Sequence, residues 1–347
     1  PMAGFSWVPA TTFQGVEASA PAKLRLRGTF ATSFRAPSLL QTVGKQTTLE
    51  PLFSFSNVDG MPTQGTTSTY LAVRTNGNPQ LKPQTSRAFT VGAEWAPLDG
   101  LNVTTDYWNF NYTDLIVKQS AQQLLEADFR CDAVNAPGSC DPRVVRDPGG
   151  IAQSINTSLA NAPSVVTHGL DFSVSYRSKL SEDIGSLSLG ATGSYTLAYL
   201  IPADSVGPAV RDQLMHCKGE RCDVAGYRNF ANFARPLPRL RMTFPVSWTL
   251  GPHTATVVVH FISGYRDDAD ADPSPRTDYR SIAAFTTFDL HYEARLDEGA
   301  GYKTTFRLGL LNALDSDPPT VNAGFGYDVF THDPRGRMFY ARLTQEM

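Results

Sequence analysis

Apolar and polar residues alternate along several stretches of about ten residues. In the stretch 239–250, the even positions hold Leu240, Met242, Phe244, Val246, Trp248 and Leu250, and the odd positions hold Arg239, Arg241, Thr243, Pro245, Ser247 and Thr249. An extended chain points successive side chains to opposite faces, so the pattern predicts a strand with one apolar face and one polar face. A tilted strand of about ten residues is long enough to cross a bilayer, whereas strands of soluble proteins usually have about five or six residues.

Eleven segments carry this pattern, at approximately 3–8, 23–34, 87–96, 101–114, 165–177, 185–199, 238–248, 254–265, 283–296, 303–312 and 337–346. Short turns at 97–100, 250–253 and 297–301 alternate with long polar loops at about 35–86, 115–164, 200–237, 266–282 and 313–336. Membrane barrels segregate short turns and long loops in this way. The sequence therefore predicts an all-β fold, an antiparallel transmembrane β-barrel with about eleven strands present. We also expect a bulge between Tyr107 and Trp108 and a short helix from Ser120 to Asp128.

The polar faces of the predicted strands are too highly charged for a dry interior. Asp289, His291, Glu293 and Arg295 share one face of a single segment. Burying four ionisable groups in the core of a soluble sandwich is costly, whereas a hydrated barrel lumen accepts them. This contrast favours the barrel over a secreted all-β binding protein, which is the weakest of the alternatives.

Composition and motifs exclude several functions. The formal net charge is −3 with both signs interspersed, so no basic stripe exists for a nucleic acid. The sequence contains no Gly-x-Ser-x-Gly, no His-Glu-x-x-His, no phosphate-binding glycine-rich loop and no dinucleotide fingerprint. We therefore expect neither an enzyme nor a bound cofactor.

Four cysteines form two close pairs in polar segments, Cys131 with Cys140 and Cys217 with Cys222. Their spacings do not match a zinc ribbon or a Cys-x-x-Cys redox motif. We expect two local disulfides, formed in an oxidising compartment, and favour them over a metal site.

Several motifs resemble the TonB-dependent receptors of bacterial outer membranes, in the order that this family uses. The stretches are Phe34-Arg35-Ala36-Pro37-Ser38-Leu39, Asn78-Pro79-Gln80-Leu81-Lys82-Pro83, Asn312-Ala313-Leu314-Asp315 and Asp333-Pro334-Arg335-Gly336-Arg337. The last eleven residues also resemble a closing barrel strand, whose lipid-facing residues would be Phe339, Ala341, Leu343, Gln345 and Met347.

The resemblance implies a barrel of twenty-two strands in the bacterial outer membrane, with a plug inside it. Residues 1–347 are then the C-terminal part of the barrel domain, and the N-terminal plug and first barrel half are missing. The implied function is active transport of a scarce small nutrient such as a ferric siderophore. The implied partners are outer-membrane lipid, the nutrient, and TonB acting through the missing plug. The competing hypothesis is a passive porin-like or adhesive barrel without a plug.

Candidate ligand contacts come from the loops and the polar face. We select Arg35, Arg239, Arg241, Tyr227, Phe230 and Tyr327, because arginine holds anions with two donors and aromatic rings stack on ligands. The arginines predicted on the polar face are Arg25, Arg27, Arg239, Arg241, Arg295, Arg307 and Arg342. The alternative for these arginines, which we favour, is pairing with carboxylates such as Asp171, Asp289 and Glu293, or with the plug. Loop aromatics, including Phe53, Phe55, Tyr70, Phe325 and Phe330, either stack on a ligand or pack the loops together.

Metal binding has weaker support in the sequence. Asp268, Asp270 and Asp272 place carboxylates on alternate positions, but no EF-hand glycine or terminal glutamate accompanies them, so we favour a hydrated loop over a calcium site. Some haem receptors of the family carry a histidine between the first two motifs. Residues 40–77 contain none, which disfavours haem, and His216 and His332 lie in other loops.

Overall fold

The computed structural model describes residues 2–7, 23–58, 61–132, 140–206, 216–230, 232–268, 281–299, 302–321 and 325–346. Within these ranges the strands are β1 (Met2–Trp7), β2 (Lys23–Arg35), β3 (Lys45–Val58), β4 (Met61–Asn76), β5 (Gln84–Leu98), β6 (Leu101–Lys118), β7 (Val144–Arg146), β8 (Ala152–Ser181), β9 (Gly185–Pro202), β10 (His216–Lys218), β11 (Arg221–Asp223), β12 (Leu240–Leu250), β13 (His253–Ile262), β14 (Tyr265–Arg266), β15 (Ser281–Ile282), β16 (Phe285–Gly299), β17 (Tyr302–Leu311) and β18 (Met338–Glu346). The helices are α1 (Leu39–Val43), α2 (Ala121–Asp132) and a 3₁₀ turn at Ala203–Ser205.

One antiparallel sheet dominates the described part of the chain. Its strands follow the order β1, β2, β5, β6, β8, β9, β12, β13, β16, β17 and β18, so neighbours in this sheet follow one another along the chain, and the β3–β4 hairpin lies off this path. All eleven predicted segments form these strands. The prediction of an antiparallel, mostly β fold is confirmed.

Large apolar side chains on one face of this sheet are exposed. Phe89 (41%), Val91 (54%), Leu170 (37%), Val246 (40%) and Leu290 (42%) are examples. The strand register puts them on the same face, because Val91 lies opposite Tyr107 and Tyr107 lies opposite Leu170. A water-soluble protein rarely exposes an apolar patch of this extent. The face is suited to hydrocarbon, and the opposite face to water.

The bulge predicted between Tyr107 and Trp108 is wrong. Strand β6 pairs with both β5 and β8 without a shift at these residues. Trp108 lies on the polar face, where a Cβ on Gly169 would come within 2.4 Å of the Trp108 ring, and its Nε1 donates to Asp171 at 3.0 Å. The apparent change of phase in the sequence comes from an aromatic residue on the polar face, and a bulge is not needed to explain it.

The loops at one end of the sheet form their own packed layer. Strands β3 and β4 form a hairpin, and β4 pairs in parallel with the N-terminal part of β8, at Ala72–Asn76 against Ser154–Ser158. A core cluster joins the hairpin to α2 through Leu52, Val73, Ala121, Leu124, Leu125, Val144 and Ile155. The predicted helix is confirmed, and Ser120 Oγ accepts from the backbone N–H of Gln123 at 3.3 Å near its start.

Both predicted disulfides are present. Cys131 near the end of α2 bonds to Cys140, and Cys217 of β10 bonds to Cys222, its direct partner on β11. Cys222 belongs to a second core cluster with Val165, Ile201, Val206, Val224, Tyr227 and Ala162. Both disulfides are local: the first joins α2 to Cys140, and the second links the two strands of a hairpin that pairs with β9. No helix in the described ranges is long and apolar enough to cross a membrane.

Candidate functional site

A row of directly paired positions crosses the polar face of the sheet. From β1 to β12 it consists of Ser6, Arg27, Gly92, Asp106, Asp171, Ser194 and Arg241. We call these seven residues the polar row. Each residue lies opposite the next because the alternation of apolar and polar residues keeps every strand in the same phase.

The part of the polar row on β2, β5 and β6 contains an ion pair. Arg27 donates from Nε to Asp106 Oδ1 at 2.9 Å and from Nη2 to Asp106 Oδ2 at 2.5 Å. Gly92 separates the two residues, and its missing side chain leaves the room that the pair occupies. A bidentate contact of this kind fixes direction as well as charge.

The part of the polar row on β8, β9 and β12 contains Asp171, Ser194 and Arg241. Asp171 Oδ1 accepts from Ser194 Oγ at 2.6 Å and from Trp108 Nε1 at 3.0 Å. Arg241 lies directly opposite Ser194. Within the described ranges, the Arg241 guanidinium has no hydrogen-bond partner, so its donors are available to an anion on the polar face.

A second polar group lies on β13, β16 and β17. His260 Nε2 is 3.1 Å from Asp289 Oδ2, and Asp289 Oδ1 accepts from the backbone N–H of Asn312 at 2.9 Å. Glu293 accepts from Arg295 at 2.5 Å and also from Arg307. Of the arginines predicted on this face, Arg27, Arg295 and Arg307 pair with wall carboxylates, which is the alternative favoured from the sequence.

Three buried residues connect two loops near the outer end of the sheet. The Tyr265 hydroxyl donates to Asp328 Oδ2 at 2.6 Å and lies 3.2 Å from His332 Nε2. These residues are 4%, 2% and 4% exposed. Since the hydroxyl hydrogen goes to Asp328, the network assigns the donor role to His332 Nε2. Burial, and then the nearby Arg241, lower the pKa of His332 against an opposing effect of Asp328, and burial followed by the Asp328 contact raises the pKa of Tyr265.

Neighbouring loop residues extend this buried network. Arg228 pairs with Asp267 at 3.0 Å, and the backbone N–H of Phe230 donates to Asp268 Oδ1 at 2.9 Å. Asp268 is fully buried, so its carboxylate holds the segment that carries Phe230 in place. The segment that carries Arg228 and Phe230 is thus fixed to Asp267 and Asp268 by charge-assisted hydrogen bonds, which are strong when buried.

A cavity of about 330 Å³ lies between the polar wall and the loop at residues 331–338. Its walls include His260, Asp289, His332, Asp333 and Arg335. Arg335 is bound to Asp333, which it contacts at 2.5 Å, and this contact lowers the pKa of Asp333. Cationic and anionic side chains therefore line the cavity, which suits it to a polar ligand.

The structure separates the six residues proposed as ligand contacts into two groups. Arg35, Phe230, Tyr327 and Arg241 are at least partly exposed. Arg239 is held by Asp223 at 2.7 Å and by the carbonyl oxygen of Leu197 at 2.5 Å. Tyr227 is 4% exposed and packs in the second core cluster beneath Arg266. Both residues position the loops.

The other loop aromatics differ in exposure. Tyr70 (48%), Phe325 (67%) and Phe330 (68%) are exposed, and Arg235 lies 5.4 Å from the centre of the Phe330 ring. The side chains of Phe53 and Phe55 lie outside the described part of the structure. The backbone of both residues belongs to β3.

No group of three potential metal ligands occurs among the described residues. Asp270 and Asp272 of the calcium candidate lie outside those residues, as does the side chain of His216. Sequence reasoning missed the contact between Tyr265, Asp328 and His332, because nothing in the sequence relates residues 63 positions apart.

An antiparallel sheet with one exposed apolar face and one ionised face has the architecture of a transmembrane β-barrel wall. A sequence model of the TonB-dependent receptor-like β-barrel matches residues 1–313. The chain belongs to this family.

Solved structures share the fold. A point mutant of the ferric enterobactin receptor PfeA of Pseudomonas aeruginosa, in complex with enterobactin, is 16% identical with a TM-score of 0.55, and the match covers 99% of this chain and 40% of that one. The siderophore receptor PirA of Acinetobacter baumannii is 15% identical with a TM-score of 0.53 over the same shares. The copper transporter OprC is 15% identical with a TM-score of 0.50, over 94% of this chain and 38% of that one. The chain thus spans about 40% of the length of these structures. A search of curated protein sequences found no match.

Proposed function

We propose that the protein containing this chain is an outer-membrane receptor that takes up a scarce small ligand, such as a ferric siderophore, with energy supplied through TonB. The polar row is the observation that carries the proposal. It lines the sheet face opposite the exposed apolar residues, and it places Arg241 with free donors beside Asp171 and Ser194. Family membership supports a transport role, and the siderophore receptors that share the fold support the ligand class.

The loops supply the first contacts with the ligand in this proposal. Arg35, Phe230 and Tyr327 are accessible there, and Arg241 receives the ligand at the wall. Arg239 and Tyr227 act indirectly, by holding the loop segments that carry Phe230. A ferric chelate with net negative charge fits this arrangement, because arginine donors and aromatic rings recognise such anions.

Cells expressing the full receptor as their sole siderophore receptor test the proposal. We expect uptake of at least one member of a radiolabelled panel of ferric catecholates and hydroxamates. Arg241→Gln should weaken binding about tenfold, since a lost hydrogen bond to a charged group costs about 1.5 kcal/mol or more. Arg177→Gln is the matched control, because Arg177 is exposed near the short-turn end of β8.

An uncoupler separates energised transport from a passive barrel. Energised transport predicts that uptake stops while binding at the cell surface continues. Uptake that continues after the membrane potential collapses, and rises linearly with ligand concentration, contradicts the TonB mechanism and supports a passive pore.

A further inference from the structure

Cationic residues occur on the apolar face of the sheet at its outer end. Arg87 lies opposite Thr32 and Asn111, in the same phase as the exposed Phe89 and Val91 of its own strand. Arg87 is exposed, and within the described ranges no hydrogen bond or ion pair holds its guanidinium. A charge on a face suited to hydrocarbon is costly unless it reaches the interface or binds a counter-charge.

A second group of cations lies beside it. Arg221 of β11 donates to Ser164 Oγ at 3.0 Å, and Ser164 lies opposite Thr113 on the same face as Asn111. Lys218 is the direct partner of Arg221 across the hairpin and is exposed. We call the set Arg87, Asn111, Thr113, Ser164, Lys218 and Arg221 the basic patch.

The depth of the basic patch matches a headgroup layer. Trp95 lies on the same face of β5, eight residues from Arg87 and beside the short turn. Eight residues of a strand span about 26 Å, or about 20 Å across a membrane for a strand tilted by about 40°. The apolar band of a barrel is about 25 Å tall, with aromatic residues at its borders. Trp95 at one border therefore places Arg87 close to the other.

The net charge of the basic patch is positive. Asp223 is already paired with Arg239 at 2.7 Å, and Glu220 and Asp114 lie near the patch but are outnumbered by its three cations. The matching face of β12, β13, β16 and β17 carries Leu240, Phe261, Thr286 and Leu310 at its outer end, which are uncharged. The three cations of the basic patch lie beside β5, β6 and β8, away from these four strands.

We propose that the basic patch binds the phosphate-bearing headgroup of a membrane lipid in the outer leaflet. Arg87 and Arg221 supply paired donors for the phosphate oxygens, Asn111, Thr113 and Ser164 supply neutral hydrogen bonds, and the acyl chains lie along Phe89, Val91 and Leu170 below. The proposal rests on the proposed function to the extent that it needs the barrel in a membrane.

Native mass spectrometry of the full receptor, purified in detergent with equimolar phosphatidic acid and phosphatidylcholine, tests this inference. We expect the receptor to retain phosphatidic acid preferentially. Arg87→Gln and Arg221→Gln should each lower that preference about fivefold, and the double variant about 25-fold, since a cation near a lipid surface contributes about a fivefold change in affinity. Arg177→Gln, which removes the same charge on β8 outside the basic patch, should leave it unchanged.

Three results would overturn the lipid site: no preference in the parent, an unchanged preference in the double variant, or an equal loss in Arg177→Gln. Displacement of the lipid by millimolar inorganic phosphate would instead indicate a site for soluble anions and would also reject the proposal. Arg87→Lys keeps the charge and should keep most of the preference, so it controls for misfolding. Siderophore uptake is scored separately, and its loss with normal lipid binding rejects only the proposed transport function.

Discussion

Arg27 and Asp106 form a bidentate ion pair across an intervening strand, directly above Gly92. The pair spans β2, β5 and β6, so it fixes three strands in one register. A Cβ on Gly92 would lie 2.0 Å from Asp106 Oδ1 and 3.0 Å from the carbonyl oxygen of Thr105. The ion pair therefore requires glycine at position 92.

We expect Gly92→Ala to destabilise the receptor, because Asp106 must turn away from Arg27 to make room. The cost should be about 1–3 kcal/mol, in the range of overpacked sites. Thermal unfolding in detergent measures it. Gly4→Ala, in β1 of the same sheet, is the control, since the atoms nearest to its added Cβ are 3.4 Å away. In an Asp106→Ala background the added cost should shrink, and an equal cost in both backgrounds would show that the ion pair is not involved.

Two further glycines should differ in their tolerance of alanine. A Cβ on Gly169 would lie 2.4 Å from the backbone oxygen of Tyr195, whereas a Cβ on Gly309 would mainly meet the ring of Tyr340, at 1.9 Å. A ring can rotate away, but a strand carbonyl cannot move without disturbing the ladder. Gly169→Ala should therefore reduce the folded fraction, seen as heat-modifiable mobility in gels, more than Gly309→Ala. The reverse order would contradict the described packing of β8 against β9.

The loop at residues 325–335 should loosen at acidic pH. The pKa of His332 lies below its ordinary value because the ring is buried, so the unfolded loop binds the proton more readily. Stability from this group is complete above about pH 6.5 and declines as the pH falls through that value toward the lower pKa of the folded state. Hydrogen exchange of this loop, corrected for intrinsic rates, should show greater opening at pH 5 than at pH 8.

Two variants test the assignment to His332. His332→Phe should remove most of the pH dependence, because an apolar ring cannot take up the proton. His253→Gln should leave it intact, since His253 is exposed at a short turn and bonds to the Tyr292 hydroxyl at 2.7 Å. If His332→Phe keeps the full pH dependence, another titrating group causes the loosening.

Reduction of the Cys217 to Cys222 bond should loosen the hairpin of β10 and β11. A loop of this length contributes about 2 kcal/mol through restricted unfolded conformations. Limited proteolysis within residues 203–223 should accelerate after reduction, and so should proteolysis of Cys217→Ser. Proteolysis of the turn at 97–100 serves as the internal control and should not change. An unchanged rate at the hairpin would show that β11 is held by its pairing with β9 alone.

The sequence predicted the wall well and the loops poorly. Alternation in segments such as 239–250 reports a local property, the partition of side chains between two faces, so the eleven strands and their phases were predictable. The hairpin of β3 and β4 was missed because its residues carry no regular apolar face, as in Thr66-Thr67-Ser68-Thr69. The N-terminal part of β8 was missed because it is held as a strand by its pairing with β4 and β7, which the local sequence pattern does not show.

The candidate site divides in the same way. Arg27 and Arg241 were predictable on the polar face from alternation alone, and the disulfides from close spacing of the cysteines. The packing of Tyr227 in the core was not predictable, because its burial depends on residues of β8, β9 and β11.

The central claim is that one face of the wall contacts hydrocarbon and the other contacts water. Spin labels on single introduced cysteines in the reconstituted receptor measure this directly, through collision rates with oxygen and with a nickel chelate. Labels at Val91, Leu170 and Val246 should favour oxygen, and labels at their neighbours Thr90, Asp171 and Ser247 should favour the nickel chelate. Equal access of the nickel chelate to both sets would contradict the account.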